Sequence, residues 1–192
     1  MLIAFEGGES AGKSTQARLL ANRLGAVLTF EPGGTALGAE LRALLLDGGD
    51  IDPRAEALLM AADRAQHRVE VIKPALDRGL HVVTDRYLHS SLAYQGYGRG
   101  LDVETVRSLS AFAGAPEPDL VILLTIPPVV RHERLQGNPD RIEADDEAFH
   151  DRVEKGFLEL AARDSERWAV IVATGPVEHV AELVWTEVEG RL

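Results

Sequence analysis

The stretch "FEGGESAGKST", residues 5–15, constrains this chain more than any other part of it. The apolar run "LIAF" precedes it. Apolar residues at helical spacing in "KSTQARLLANRL" follow it and stop at Gly25. Gly7, four residues, then Gly12-Lys13-Ser14 therefore reads as a strand–loop–helix junction, the setting in which this spacing holds phosphate. Glycine lets the backbone wrap an anion and aim its N–H groups at it. The start of the helix adds partial positive charge. Lys13 supplies a full charge, and Ser14 offers a hydroxyl to the divalent cation that accompanies phosphates. The pattern assigns Gly7, Gly8, Glu9, Ser10, Ala11, Gly12, Lys13, Ser14 and Thr15 to a nucleoside triphosphate, with Mg²⁺ as cofactor.

The rest of the chain supplies a matching scaffold. Strand-like runs fall at 26–30, 80–84, 119–126 and 168–173, with helical patterns at 13–24, 36–46, 53–78 and 177–189 and up to Arg163. Pro53 opens the long helix, and Pro74 inside it predicts a kink or an early end. Short, continuously apolar strands alternating with helices define an α/β, doubly wound, five-stranded parallel sheet. All 192 residues form one domain, and residues 131–147, dense in charge and broken by Gly137 and Pro139, read as a mobile lid.

Composition narrows the partners. A net charge of −11 argues against a nucleic-acid surface, so an anionic ligand must be captured by local cations. No apolar run is long enough to span a membrane. The absence of cysteine fits a reducing cytoplasm, and the "MLIAFEGG" start lacks a signal-peptide pattern. The six histidines show no metal-ligand spacing. The three lysines, Lys13, Lys73 and Lys155, are followed by Ser-Thr, Pro-Ala and Gly-Phe, so a guanine-reading Asn/Thr-Lys-x-Asp motif is missing. A motor or transporter ATPase calls for a larger domain, which leaves a small-molecule kinase.

The segments "EPGGT" (31–35), "LLMAADRAQH" (58–67), "DRYLHSSLAYQ" (85–95) and "DRIE" (140–143) stand in order behind the phosphate loop. Together they resemble thymidylate kinase, and the match runs from Ile3 to about Arg163. The resemblance implies a P-loop kinase that phosphorylates dTMP with ATP and Mg²⁺, as a homodimer. It implies that Glu9 meets the sugar of dTMP, that Arg64 and Arg86 hold its phosphate, and that Asp85 joins Ser14 at the metal. Pro32, Gly33, Met60, Ser90, Ser91, Tyr94 and Gln95 would line the acceptor pocket, with Tyr94 against the sugar where a ribose hydroxyl would project. Ser10 occupies the place where one branch of the family carries a catalytic arginine. The resemblance is therefore to the bacterial branch, with Arg134 and Arg141, and less directly Arg131, as lid arginines.

Plainer roles stand beside these. Arg64 could be an exposed helix ion pair, Asp85 a helix cap and Tyr94 a core tyrosine. Four positions depart from the family pattern: Phe30 where arginine is common, Met60 where a phenylalanine stacks on thymine, Thr125 where aspartate is common, and "VATGP" (172–176) near the adenine site. A kinase for another nucleoside monophosphate or a deoxynucleoside, and a non-catalytic nucleotide-binding regulator, remain as alternatives.

Overall fold

A computed structural model describes residues 1–134 and 140–192. Five strands, β1 (Leu2–Glu6), β2 (Val27–Phe30), β3 (Val82–Asp85), β4 (Leu120–Thr125) and β5 (Trp168–Val172), form one parallel sheet in the order β2-β3-β1-β4-β5. The three inner strands are buried on both faces, which is why they read as unbroken apolar runs. The edge strands differ: Leu28 and Phe30 on β2, and Val170 and Val172 on β5, are exposed.

Alternation along β1 sorts the core into two layers. Ile3 and Phe5 pack with Ala17 and Leu20 of helix α1 (Lys13–Leu24) and with Val180, Val184 and Val188 of α9 (Val177–Glu189). Leu2 and Ala4 face the opposite layer, which includes Val106 of α6 (Val103–Phe112) and Phe149, Val153 and Phe157 of α8 (Glu147–Arg163). Burying one such side chain is worth about 1.5–3 kcal/mol. Helices α2 (Ala36–Asp47), α5 (Leu88–Ser91) and α7 (Pro128–Arg134) complete the connections with the long element described next. Among the described residues no helix is long and apolar enough to cross a membrane.

The helix expected at 53–78 is interrupted. It runs as α3 (Pro53–His67), widens into a π turn over Arg68–Ile72, and ends as α4 (Lys73–Asp77). Lys73 N donates to Arg68 O, five residues back. Pro74 has no N–H, and its ring would crowd the carbonyl four residues earlier; the wider turn relieves that crowding. A second π stretch, Leu92–Gly98, continues α5 and presents Tyr94 and Gln95 side by side.

The register explains where a site must form. Phe5 pairs with Asp85, and Arg86 N donates to Phe5 O at 2.9 Å. The phosphate loop after β1 and the Asp85-Arg86 pair after β3 thus emerge together at the carboxyl ends of neighbouring strands. The chain leaves β1 toward β2 on one side and β4 lies on the other, so the loop sits at the topological switch point, where open parallel sheets bind ligands.

Of the segment 131–147, Arg131–Arg134 continue α7, and residues 140–146 form a turn leading to α8, whose amino end Asp146 caps by accepting from Phe149 N. The breaks expected at Gly137 and Pro139 lie outside the described residues.

Candidate active site

A cavity of about 760 Å³ runs from the phosphate loop to the inner face of α3. At the loop, Gly7 takes φ +138°, and a Cβ there would lie 2.3 Å from Leu124 O, so only glycine fits. Gly12, φ +88°, precedes the first turn of α1. Glu9, Ser10, Gly12, Lys13, Ser14 and Thr15 line the cavity, while Ala11 is buried in the core and Gly8 turns its carbonyl toward Lys13. Lys13 Nζ donates to Gly8 O at 2.6 Å. Burial, reinforced by the Arg86 charge, lowers the Lys13 pKa to about 8. Phosphate oxygens beside it would favour its charged form further.

Ser14 Oγ donates to Asp85 Oδ2 at 2.5 Å, and Asp85 Oδ1 is buried without a partner among the described residues. A hydroxyl and a carboxylate with a spare oxygen are the hard donors that Mg²⁺ takes alongside phosphates. No cluster of three or more metal-ligating side chains occurs among the described residues. Asp85 is not the cap of α5; Tyr87 holds that position and makes no side-chain cap bond.

Arg86 stands across the loop with a positive φ of 65°, a strained backbone of the sort that persists where surroundings dictate it. Its Nη1 donates to Gly7 O (3.1 Å) and Ser90 Oγ (3.2 Å); its Nη2 donates to Glu9 and to Tyr94 Oη (3.1 Å). The Tyr94 hydroxyl donates to Glu9 Oε1 at 2.7 Å. Burial works against the Glu9 charge, but Arg86 and Lys13 more than offset it and hold the carboxyl at about 2. Arg86, similarly opposed by burial, is held charged by Glu9 above all. Below them Glu6, fully buried at the end of β1, accepts from Tyr87 N, Ser90 N and Ser90 Oγ, and burial pushes it up to about 7 against Ser90 and Arg86.

Arg64 lies inside the fold. It is 2% exposed, so it is no surface ion pair. Its Nε donates to Glu31 Oε2 (2.9 Å), Nη1 to Ser110 Oγ (3.0 Å), and Nη2 to Tyr87 O and Ser91 Oγ. Glu31 also accepts from His67 Nδ1 at 2.8 Å, and His67 Nε2 lies 2.6 Å from Thr29 Oγ1. Arg64 lines the cavity, but Glu31 already matches its charge. Glu9 matches Arg86 in the same way; Arg86 differs in standing at the phosphate loop, where its Nη1 donates to Gly7 O.

Pro32, Met60, Ser90, Ser91 and Gln95 also line the cavity, as expected. Gly33 does not; its N–H donates to Asp63 Oδ1 at 3.0 Å. Burial, with Glu31 nearby, raises Asp63 to about 6. Phe30 is on the cavity wall with the Arg42 guanidinium 5.9 Å above its ring, so a cation reaches this wall from α2 rather than from β2.

The two lid arginines separate. Arg134 lines the cavity and donates to Ser10 O (3.4 Å) and Ala173 O (3.1 Å), bridging the phosphate loop to the segment after β5. Arg141 is outside the cavity lining: Nε donates to Leu45 O (2.8 Å) and Nη2 to Glu56 Oε2 (2.6 Å). As placed, it holds α2 to α3 and does not reach the phosphate loop. The desolvated Glu56 carboxylate draws it inward, since a buried charge is tolerable only when paired. Arg131 borders a separate small hollow beside Glu9, His150 and Thr125.

Glu6, Glu31, Arg42, Glu56, Asp63 and His67 carry the site without having been singled out in the sequence. A signal existed: Glu56, Met60, then Asp63 and Arg64, then His67 step along α3 every three or four residues, marking one largely polar face of the helix. Glu56, Asp63, Arg64 and His67 are all buried.

A parallel sheet ordered β2-β3-β1-β4-β5, a phosphate loop at its switch point and a cavity running on from Lys13 to α3 define a P-loop kinase of the nucleoside monophosphate class. The chain belongs to the thymidylate kinase family, whose family model matches residues 5–184. It is 49% identical to thymidylate kinase of Synechococcus sp. (strain JA-2-3B'a(2-13)) over 198 residues, covering 100% of this chain and 96% of that one. It is 48% identical to that of Bifidobacterium longum (strain NCC 2705) over 203 residues, covering 100% and 97%. The crystal structure of thymidylate kinase from Ehrlichia chaffeensis superposes with a TM-score of 0.85 at 32% identity, covering 98% of each chain.

Proposed function

We infer that the protein transfers the γ-phosphoryl group of ATP to a phosphate oxygen of dTMP, giving dTDP and ADP. The observation that carries this reading is one continuous cavity with Lys13, Ser14 and Asp85 at one end and the Arg86–Glu9–Tyr94 cluster facing them. The acceptor's phosphate oxygen attacks the γ-phosphorus in line, and the bond to the β,γ-bridging oxygen breaks. The nucleophile is already anionic, so the protein positions the reactants and neutralises charge; no covalent intermediate or strong base is needed. Lys13 holds the transferring phosphates from the donor side and Arg86 from the acceptor side. Arg134, beside Ser10, supplies the charge that a loop arginine would otherwise bring. Ser14 and Asp85 would hold Mg²⁺, which when bound offsets phosphate charge.

Glu9 and Tyr94 shape the sugar end. The Tyr94 hydroxyl is held by Glu9 and Arg86, and its ring meets Phe149 and Phe157 edge-on at 6.1 Å each. A ring so fixed leaves a 2′-hydroxyl no room to displace it. Met60 lies against the base, with Gln95 and Ser91 nearby.

The chain works as one domain, with the segment about 131–147 as its lid, and it resides in the cytoplasm, where ATP is supplied. It works as a homodimer: Leu58, Ala62 and Ala65 on α3 and Val69 in the π turn that continues it follow one another at near-helical spacing, with Leu58 and Val69 56% and 57% exposed. This apolar stripe faces away from the core, and its alanines allow a second helix to approach closely. ADP release with dTMP, dUMP, UMP, dGMP, dCMP and thymidine tests the function. dTMP should lead the panel, and faster turnover of another acceptor would overturn the assignment.

A further inference from the structure

Glu56 is wholly buried on α3, outside the cavity lining, yet one of its partners is a cavity residue. Its Oε1 accepts from Gln95 Nε2 (2.8 Å) and Arg99 Nε (3.3 Å); its Oε2 accepts from Arg99 Nη2 (3.3 Å) and Arg141 Nη2 (2.6 Å). Arg99 in turn is clamped by Asp145. A carboxylate between two guanidiniums has only acceptors to show, so Gln95 must turn its NH₂ toward Glu56. The amide oxygen is then committed to the other side. Gln95 is 1% exposed and lines the cavity, and its Oε1 is buried with no partner among the described residues.

We propose that Glu56 is a positioning residue for base selection: by fixing the Gln95 amide it presents an acceptor, never a donor, to the acceptor nucleotide's base. This rests on the dTMP-kinase reading and deepens it. A 4-oxo-pyrimidine edge such as that of thymine carries an N–H at N3 that satisfies the waiting oxygen. Cytosine carries a lone pair there, leaving two buried acceptors face to face. Leaving such a group unmet costs about 1–3 kcal/mol, or about 5- to 150-fold in binding. The network also accounts for the position of Arg141, whose Nη2 donates to Glu56 Oε2 while Gln95 holds Oε1.

The experiment is calorimetric binding of dTMP and dCMP, without ATP, to the full chain. Binding is read instead of turnover, so the result on Glu56 is separate from whether dTMP is the phosphorylated acceptor; the ADP-release panel decides that. In Glu56→Gln the new amide oxygen faces Arg141 and its NH₂ faces Gln95. Gln95 should flip and show its own NH₂ to the base. The dTMP:dCMP affinity ratio should fall by about 10- to 100-fold, the worth of one buried hydrogen bond exchanged for a mismatch. The reciprocal double variant Glu56→Gln/Gln95→Glu puts an acceptor back toward the cavity and should restore the preference for dTMP. Arg141→Met removes a guanidinium from Glu56 but keeps Gln95 tied to it; it should lower the melting temperature and leave the ratio unchanged. A folded Glu56→Gln protein with the wild-type ratio would overturn the proposal.

Should these variants fail to fold, the wild type decides by NMR. The Gln95 side-chain amide should stay protected and show no nuclear Overhauser contact to bound dTMP. A contact between that NH₂ and the thymine ring would equally overturn it.

Discussion

The two ends of the cavity are built from different materials. The donor end is made largely of backbone, one contiguous loop with left-handed residues at Gly12 and Ser10 and a single lysine folded onto it. The acceptor end is made of buried side chains drawn from distant parts of the chain. Glu31 meets Arg64 across 33 residues, and Glu56 meets Arg141 across 85. A backbone cradle is satisfied by its own local geometry and waits for any phosphate. A chamber of buried charges must satisfy itself first, and its selectivity comes from the few polar atoms left over. The first arrangement suits a co-substrate shared by many enzymes, the second a particular acceptor.

Substitutions can break that division, and the largest effect belongs to the donor end. Lys13→Ala should lower kcat by about 100-fold or more, as for loss of a charge on the transferring group, with dTMP affinity and melting temperature nearly unchanged. Near-normal turnover in the folded variant would mean that the loop does not carry the phosphates.

Arg134 and Arg141 divide along the same line. Arg134→Ala should lower kcat by about 100-fold with a smaller change in KM for dTMP, because its contact strengthens in the transition state. Arg141→Ala should leave kcat within several-fold of wild type and cost about 1–3 kcal/mol in stability, since Glu56 loses one of its donors. Steady-state constants and melting curves for both would show the split; equal losses of kcat would erase it.

Met60 tests the acceptor end more gently. A thioether against a ring is worth about 0.3–1.5 kcal/mol, so Met60→Ala should weaken dTMP binding by about tenfold or less. Met60→Phe should change it little, because an aromatic pair is worth a similar amount, about 0.5–1.5 kcal/mol. Full dTMP affinity in a folded Met60→Ala protein would return Met60 to plain packing.

The smallest effect is a pH dependence that separates the two ends. Glu6, under the loop, is raised from 4.5 to about 7, and Asp63, under the acceptor chamber, from 3.8 to about 6, each chiefly by burial. A carboxyl whose folded value is raised holds its proton more tightly when native. Its stabilising contribution is complete below the unfolded value and is lost as pH rises through the folded one. Stability from Asp63 should therefore decay by about pH 6 and that from Glu6 by about pH 7. Glu6→Gln should flatten the stability profile up to pH 7, and Asp63→Asn only up to pH 6. Identical profiles for the two variants would contradict the separate windows.

The elements most legible in advance are those whose cause is local. The phosphate loop, the parallel strands and the opening of α3 at Pro53 follow from glycines, apolar runs and caps within a few residues of where they act. The Asp85-Arg86 pair was readable too, because it follows an apolar strand and matches a family segment. The partners of Arg64 and Arg141 were not legible for one reason. Each is a cation whose partner, Glu31 or Glu56, is remote in sequence, and nothing near either arginine announces it. His67 was passed over because its role is a hydrogen bond to Glu31, which has no spacing rule.

The sequence alone determined the class of chemistry. Backbone geometry at Gly7–Thr15 and the charge on Lys13 are properties of contiguous residues, and a strand before them with a helix after them leaves few alternatives. Tertiary structure alone decided which polar atoms remain for the acceptor. Burial makes every charge on the inner face of α3 find a partner, and the partners are whichever side chains the sheet order and the two π turns bring within reach. Only when those pairings are made do Arg86 meet Glu9, Arg64 meet Glu31 and the Gln95 amide meet Glu56.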